Sequence, residues 1–364
     1  MKFGIFYEMF VPPHELDAEA RIIRETVDQI VHADRNGFDH VWMTEHHFLR
    51  GFSHMSAPEV LFGAAAYQTE HIRFGFGLAL TPPSYNHPVR VAERVAMLDC
   101  LSNGRVDVGS GRSTTPAELY GFGLDPEQSR AQWQEGLDAV TRLLAEEQVE
   151  LDGEFVKMPA RTVVPRPVQK PHPPMWVGGV GPGNAERAAK KGLGMLFFAR
   201  KTDYDGLAAS TAAYHANIAE AEPICGMVNK QTAGFVNGLC SYDRDEVRNL
   251  AARKTVEHTL HGFDWMSEGW PGGQPAPSYA HLGSGDIAML RDAAKADPTA
   301  IGEFMVSEGF VMAGNPDDCA TVLDGFKASG VDQVIIHMQM GGMPHDRIME
   351  SIELIGKELI PSYR

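Results

Sequence analysis

The strongest constraint on this chain is a rhythm. Short apolar runs of strand type alternate with longer amphipathic runs of helix type along its length. KFGIFY (2–7) precedes a helical pattern over ELDAEARIIRETVDQIVHADRNG, and HVWMTE (40–45) precedes one near PEVLFGAAAYQT. IRFGFGLAL (72–80) precedes VRVAERVAMLDCLSNG, and RVDVGSG (105–111) leads through a loop to SRAQWQEGLDAVTRLLAEE. MWVGGV (175–180), GMLFFA (194–199), TAGFVNGLC (232–240) and QVIIHMQM (333–340) each adjoin a helix pattern, and DRIMESIELIGKELI is the last helix. Nearly all-apolar strands that alternate with helices imply a parallel sheet covered on its faces. Eight such units predict an α/β fold of the (β/α)8 barrel type rather than an open doubly wound sheet.

A length of 364 residues fits one such barrel domain carrying insertions. The first is Pro-rich and charged, at about 147–174; the second, at about 264–304, contains DWMSEGWPGGQPAPSYAHLGSGD and reads as a long loop. A short strand, EGFVMAG (308–314), and a helix from Pro316 to Ser329 then return the chain to its last barrel strand. Barrels of this kind carry their chemistry at the C-terminal strand ends. Three polar or Gly-rich clusters converge on that rim: His46 and His47, with Glu45 before them, ending the second strand, Arg112 after the fourth, and Gly181 to Asn184 after the fifth.

Composition removes several function classes. The formal net charge is −16, whereas a nucleic-acid face needs a surplus of Lys and Arg. No stretch approaches the roughly 20 apolar residues of a membrane span, and MKFGIFYEMF lacks the apolar core of a signal peptide. The four cysteines, Cys100, Cys225, Cys240 and Cys319, form no CxxC and predict reduced thiols in a cytoplasmic protein.

Each cluster has a functional and a structural reading. In GGVGPGNAERAA (178–189), glycines between a strand and a helix free backbone N–H groups for a phosphate. As a dinucleotide fingerprint the stretch is weak, because Asn184 replaces the third glycine and the next strand ends in Ala199 and Arg200 with no carboxylate for a ribose. A plain tight turn is the alternative. Arg112 in GSGRS and Arg130 in SRAQW are placed to hold a dianionic phosphate, or else to pair with Asp125 or Glu127. His46 and His47, read as continuing the strand, point to opposite faces and cannot share a metal, so no metal is expected there. The inward one suits acid–base work near neutral pH, or is a satisfied structural histidine.

Taken together, MKFGIF, GFDHVWMTEHHF, NHPVRVAERVAMLDCLSNGRVDVGSGRS, YGFGLDPEQSRAQWQEGL and PPMWVGGVGPGNAERAAKKGL resemble the bacterial luciferase-like flavin monooxygenases. The similarity is collinear and reaches VDQVIIHMQMGGMPHDRIMESIELIGKELIP near the C-terminus. It implies a barrel that binds reduced FMN supplied by a separate flavin reductase and oxygenates a small organic substrate through a flavin hydroperoxide. The resemblance makes Arg112 and Arg130 the phosphate arginines, and Val180, Gly181 and Asn184 the phosphate turn, acting through backbone N–H and the Asn amide. It makes His46 the catalytic histidine and sets His47 against Glu93 of the other subunit in a homodimer. It also implies a non-proline cis peptide at Gly77–Leu78 against the flavin ring. Gly111 stands where luciferase has a reactive cysteine, which implies a larger pocket and argues against light emission. Phe6, Trp42, Phe76, Leu78 and Ile336 are expected to wall an apolar chamber. Within 264–304 the resemblance places a mobile loop; the composition fits a lid hinged at Gly269, Gly272, Gly273, Gly283 and Gly285, with Trp265, Trp270 and Tyr279 capping the mouth, or else a static insertion whose aromatics pack on the barrel. A deazaflavin-dependent hydride-transfer enzyme and a non-catalytic flavin-binding protein share this barrel and remain the alternatives.

Overall fold

The computed structural model of the chain describes residues 1–13, 18–198, 203–283 and 285–364. Its first half runs β1 (Lys2–Tyr7), α1 (Glu19–Arg35), β2 (His40–Met43), α2 (Pro58–Ala66), β3 (Arg73–Leu80), α3 (Pro88–Leu101), β4 (Val106–Gly111), α4 (Pro116–Gly121) and α5 (Ser129–Ala145). A hairpin of β5 (Val149–Asp152) and β6 (Lys157–Arg161) follows. Next come β7 (Met175–Gly179), α6 (Pro182–Lys190), β8 (Gly194–Phe197), α7 (Tyr204–Asn217), β9 (Thr232–Cys240) and α8 (Arg244–Ser267). The last stretch carries α9 (Gly285–Ala296), α10 (Pro298–Ser307), β10 (Val311–Gly314), α11 (Pro316–Ala328), β11 (Gln333–His337) and α12 (His345–Leu354). Ala199 and Arg200 lie outside the described residues.

Eight parallel strands close a (β/α)8 barrel in the order β1, β2, β3, β4, β7, β8, β9, β11, with β11 returning to β1. Each arises from one of the eight apolar runs. β10 is a ninth strand outside the ring, paired with the far end of β9 (Val311 opposite Asn237).

Period-two alternation divides the strand residues between two cores. Phe3, Ile5 and Tyr7 of β1, Phe74 and Phe76 of β3 and Ile336 of β11 face the helical layer. Phe6, Trp42, Trp176, Leu196, Ala233 and Ile335 fill the barrel interior, with Leu78, Phe198 and Phe235 against them. This corrects the expected chamber wall: Phe76 and Ile336 point outward, one residue out of phase with it. Small residues make room for the interior indoles. A Cβ on Gly75 would lie 2.2 Å from the Trp42 ring, and Trp42 meets Trp176 edge-on at 5.2 Å.

The segment 264–304 departs from the expected loop. α8 runs to Ser267, two short 3-10 turns follow (Pro271–Gly273 and Pro277–Gly283), and α9 and α10 take most of the remainder. Gly and Pro are dense only up to Gly283; beyond it DIAMLRDAAKA and PTAIGEFMVS are good helix formers. Pro298 opens α10, and the Asp297 carboxylate caps it by accepting from the Ala300 N–H at 3.0 Å.

Candidate active site

β2 ends at Met43, so Glu45, His46 and His47 lie in the loop beyond it. Strand alternation therefore does not govern their directions, contrary to the sequence expectation; hydrogen bonds do. His46 Nδ1 donates to Glu118 Oε1 at 2.9 Å, and the His47 backbone N–H donates to the same oxygen at 3.0 Å. The other oxygen, Oε2, accepts from Ser113 Oγ and Thr115 Oγ1, both at 2.6 Å. Glu118 is fully buried on α4, yet four donors converge on its carboxylate. Burial alone would raise its pKa. The His46 charge, the His46 hydrogen bond and the two hydroxyls outweigh burial and hold the carboxyl below its usual range. His46 responds in the opposite sense. Burial would lower it, but Glu118, followed by Glu8 and Glu45, raises it above the ordinary histidine value. With Nδ1 committed to Glu118, Nε2 is the nitrogen left for proton transfer.

Glu118 is the residue that sequence reasoning missed. It follows Thr115 in T-x-x-E, the signature of a capping box, and Thr115 does cap α4. The carboxylate, however, turns away from the cap backbone to His46. In the structure the loop before it is marked by the positive φ of Ser113 (72°), which a non-glycine residue rarely adopts. Met9 (φ 56°) and Phe48 (φ 68°) share that conformation after β1 and β2, so three of the barrel's C-terminal turns hold unusual backbone.

Glu45 organises the neighbouring strand. Its Oε2 accepts from the Leu80 N–H at 2.8 Å, and Oε1 accepts from Asn86 Nδ2 at 2.8 Å and His47 Nε2 at 3.2 Å. Just before Leu80, the Gly77–Leu78 peptide is cis, as the resemblance implied. Leu78 then lies over the glycines of two adjacent strands. A Cβ on Gly109, Gly111 or Gly178 would come within 2.8–2.9 Å of its side chain. The room opened by Gly111 is thus taken up by Leu78 and does not enlarge the pocket as expected.

Arg112 and Gly181 follow β4 and β7, which pair side by side. Half-buried Arg112 donates to Ser129 Oγ at 2.9 Å and to the Ser278 carbonyl at 3.3 Å, and its guanidinium stacks on the Tyr279 ring at 4.3 Å. Among the described residues no carboxylate lies in salt-bridge range of it. Glu127 instead accepts from the Ser278 N–H, and Asp125 accepts from the Glu127 N–H. Arg130 is exposed, and its positive charge acts on Arg112. Gly181 begins α6 at φ 80°, next to exposed Val180. The Asn184 amide is partly committed, donating to the Val180 carbonyl at 2.7 Å and accepting from Arg187 at 2.7 Å. One Nδ2 N–H and Oδ1 are thus engaged within its own turn, and one N–H of this exposed amide is left for a phosphate.

Of the expected capping aromatics, Trp270 and Tyr279 are buried with Leu119, Leu124 and Leu282, and Trp265 is half-buried. Tyr279 Oη reaches Ser129 Oγ at 3.0 Å and the Ser113 carbonyl at 3.2 Å. The 277–283 turn is thus seated on both Arg112 and the Ser113 loop beside Glu118. Within one chain, no hydrogen bond or ion pair joins His47 to Glu93. His47 takes Glu45, and Glu93 takes Arg90.

The profile of the luciferase-like monooxygenases matches residues 1–333. Limonene 1,2-monooxygenase of Rhodococcus erythropolis is 37% identical over 148 residues, 40% of this chain and 37% of that protein. The oxygenase component of the flavin-dependent trigonelline monooxygenase of Acinetobacter baylyi is 30% identical over 194 residues, 53% of this chain and 52% of that protein. These alignments thus span about half or less of each relative. Among solved structures, monooxygenase RslO1 from Streptomyces bottropensis superposes over the whole of both chains with a TM-score of 0.80 and 28% identity. The oxygenating constituent of 3,6-diketocamphane monooxygenase from Pseudomonas putida, in complex with FMN, superposes at 0.73 over 99% of this chain and 98% of that one, with 19% identity. The coenzyme F420-dependent tetrahydromethanopterin reductase of Methanopyrus kandleri reaches 0.70 over 100% and 99%, with 21% identity. A closed barrel with its polar groups on one rim, matched by a family profile from Met1 to residue 333, shows that the chain belongs to the luciferase-like monooxygenase family.

Proposed function

We propose that the chain is the oxygenase component of a two-component flavin monooxygenase. It takes reduced FMN from a separate reductase and transfers one atom of dioxygen to a small organic substrate. The observation that carries this reading is Arg112: a half-buried guanidinium on the rim, near like-charged Arg130, with no carboxylate in salt-bridge range among the described residues and only the more distant Glu127 acting on its charge. Two cations converging beside a helix N-terminus fit a dianionic phosphate. Reduced FMN, when bound, supplies the electrons that activate oxygen. The chain contributes the rest. Arg112, Arg130 and the backbone N–H groups at the Gly181 turn anchor the phosphate. The Gly77–Leu78 segment supports the ring. The apolar interior excludes water. His46 Nε2 holds or delivers a proton, and buried Glu118 favours the charged form of that imidazole. The Ser278–Tyr279 turn covers the phosphate end as a lid.

A homodimer completes the reading. α2, the residue after it and α3 expose Val60, Tyr67, Met97 and Leu101, apolar side chains on the helix that carries Glu93 and on its neighbour. Sedimentation at micromolar concentration tests it: a monomer removes both the seam and the His47–Glu93 contact across it. No helix among the described residues is long and apolar enough to cross a membrane.

A second reading rests on the F420-dependent structural neighbour: hydride transfer without oxygen. The deciding experiment titrates the protein anaerobically with reduced FMN and with reduced F420, then mixes each complex with oxygen and candidate aldehydes, ketones and aromatics. Tight FMN binding with oxygenated product supports the proposal. Binding of F420 alone, with no oxygen incorporated, overturns it.

A further inference from the structure

We propose that Glu8, His258 and His337 form a binding site for one divalent transition-metal ion at the mouth of the barrel. The three come from different elements: Glu8 just past β1, His258 in α8, and His337 at the end of β11. One nitrogen of each imidazole and one Glu8 carboxylate oxygen lie within 4.8 Å of one another. Elements far apart in sequence thus aim three Lewis bases at a common point, away from the Arg112 end of the rim.

The hydrogen bonding within the cluster is incomplete, and what it lacks is a donor or cation to take the unpaired imidazole nitrogens. His258 Nε2 donates to Glu8 Oε2 at 2.8 Å, a hydrogen bond whose proton a bound cation would displace. His337 Nδ1 meets Asn237 Oδ1 at 3.1 Å. A carbonyl oxygen only accepts, so Nδ1 carries the proton and Nε2 bears the lone pair. His337 Nε2 and His258 Nδ1 are both buried without a partner, and His337 is 1% exposed. An imidazole whose far N–H is held by a side-chain carbonyl is the arrangement that orients metal-binding histidines.

The donor set selects the ion. Two imidazole nitrogens and one carboxylate, without a thiolate, suit zinc, iron(II), cobalt(II) or manganese(II) better than calcium or magnesium, which prefer oxygen. Metal–ligand bonds of about 2.0–2.2 Å require the three atoms to draw in slightly, which side-chain rotation supplies. Three protein ligands leave positions open. Rings enclose the site: Phe10 and Phe52 lie 5.5 and 5.0 Å from His258, and Phe6 lies 5.5 Å from His337. Phe52 also contacts His46 at 6.2 Å, so the open positions share the mouth with that histidine. An ion there would hold an oxygen-bearing small molecule: a hydroxyl, carbonyl or carboxylate.

The test uses the full-length protein, stripped with a chelator and free of flavin, so its outcome does not depend on the flavin reading. Cobalt(II) is the probe, followed by its visible ligand-field absorption, with zinc as the competing ion. The expected result is saturation at one ion per chain, displaced by zinc. His337→Ala and the near-isosteric Glu8→Gln should each weaken cobalt binding about tenfold or more, and Asn237→Leu roughly tenfold through the second contact of His337. Exposed His71→Ala should leave it unchanged. Near-UV circular dichroism confirms that each variant is folded. Absence of a stoichiometric cobalt spectrum, or uptake unaffected by both His337→Ala and Glu8→Gln, overturns the site and leaves Glu8 and His258 as a simple hydrogen-bonded pair.

Discussion

At the N-terminal end of β2 a buried histidine faces a buried carboxylate, in the loop beyond its C-terminal end a half-buried histidine does the same, and the pairs behave oppositely. At the N-terminal end, His40 Nε2 sits 3.7 Å from Asp107, and neither ring nitrogen has a hydrogen-bond partner. Burial pushes His40 down to about 4, against the pull of Asp107. At the C-terminal end, Glu118 raises His46. The difference lies in what else each carboxylate serves. Asp107 is already neutralised by Arg73 at 2.6 Å and accepts from Trp176 Nε1 at 2.9 Å. Apart from His46, Glu118 accepts only neutral donors. A carboxylate charges a buried imidazole only when no stronger cation has claimed it. One end is built for cohesion, the other for proton transfer.

Glu118→Gln should break the comparison most severely. It removes the charge that raises the His46 pKa while preserving the side-chain volume. Turnover should fall roughly 10²- to 10⁴-fold, the range of a lost general acid–base partner. The His46 titration, followed by NMR, should move below its wild-type position. Near-normal turnover, or an unmoved His46, would show that Glu118 is only a helix-cap residue.

Asp107→Asn acts at the other end. It leaves the partly buried Arg73 without its counter-charge and should cost about 3 kcal/mol of stability in denaturant titration. FMN affinity should be unchanged, because no phosphate or ring contact is near. A loss of FMN binding at equal folding would contradict the division of labour between the two ends.

Arg112→Ala should weaken reduced FMN binding roughly tenfold to a hundredfold, the worth of one charge-assisted bond to phosphate. Unchanged affinity would place the phosphate elsewhere. Replacing 268–285 by a short Gly-Ser linker should leave the barrel folded, with FMN still bound, but divert reducing equivalents to hydrogen peroxide, since water then reaches the site. Unchanged coupling between substrate oxygenation and oxygen consumption would reject the lid.

The two ends also differ by a pH signature of opposite sign. Between pH 6.5 and about 4 the unfolded chain protonates His40 and the folded chain does not. Acid therefore favours unfolding, by about 3 kcal/mol over that range. His46 has a folded value above 6.5, so its contribution is complete below pH 6.5 and is lost as pH rises through the raised value. His40→Gln should flatten the acid limb of a stability–pH curve, and His46→Gln the limb above 6.5. Identical curves for both variants would remove the distinction.

The sequence by itself determined the barrel. Period-two apolar strands spaced by helical patterns leave few alternatives, because each strand must bury both faces. It placed the rim loops correctly too, since the end of a strand is a local property. It erred where a residue's direction depends on contacts far along the chain. His46 and His47 were read as alternating, yet hydrogen bonds from residues 113–118 orient them. Phe76 and Ile336 were assigned to the chamber, but their strand register turns them outward. Gly111 was read as added space, which Leu78 fills from the adjacent strand. Glu118 resembled an ordinary cap, and Glu8, His258 and His337 carried no motif at all. Their chemistry comes from convergence. Residues 8, 258 and 337 become neighbours only when β1, α8 and β11 meet at one end of a closed ring, and no local pattern encodes a distance across a barrel.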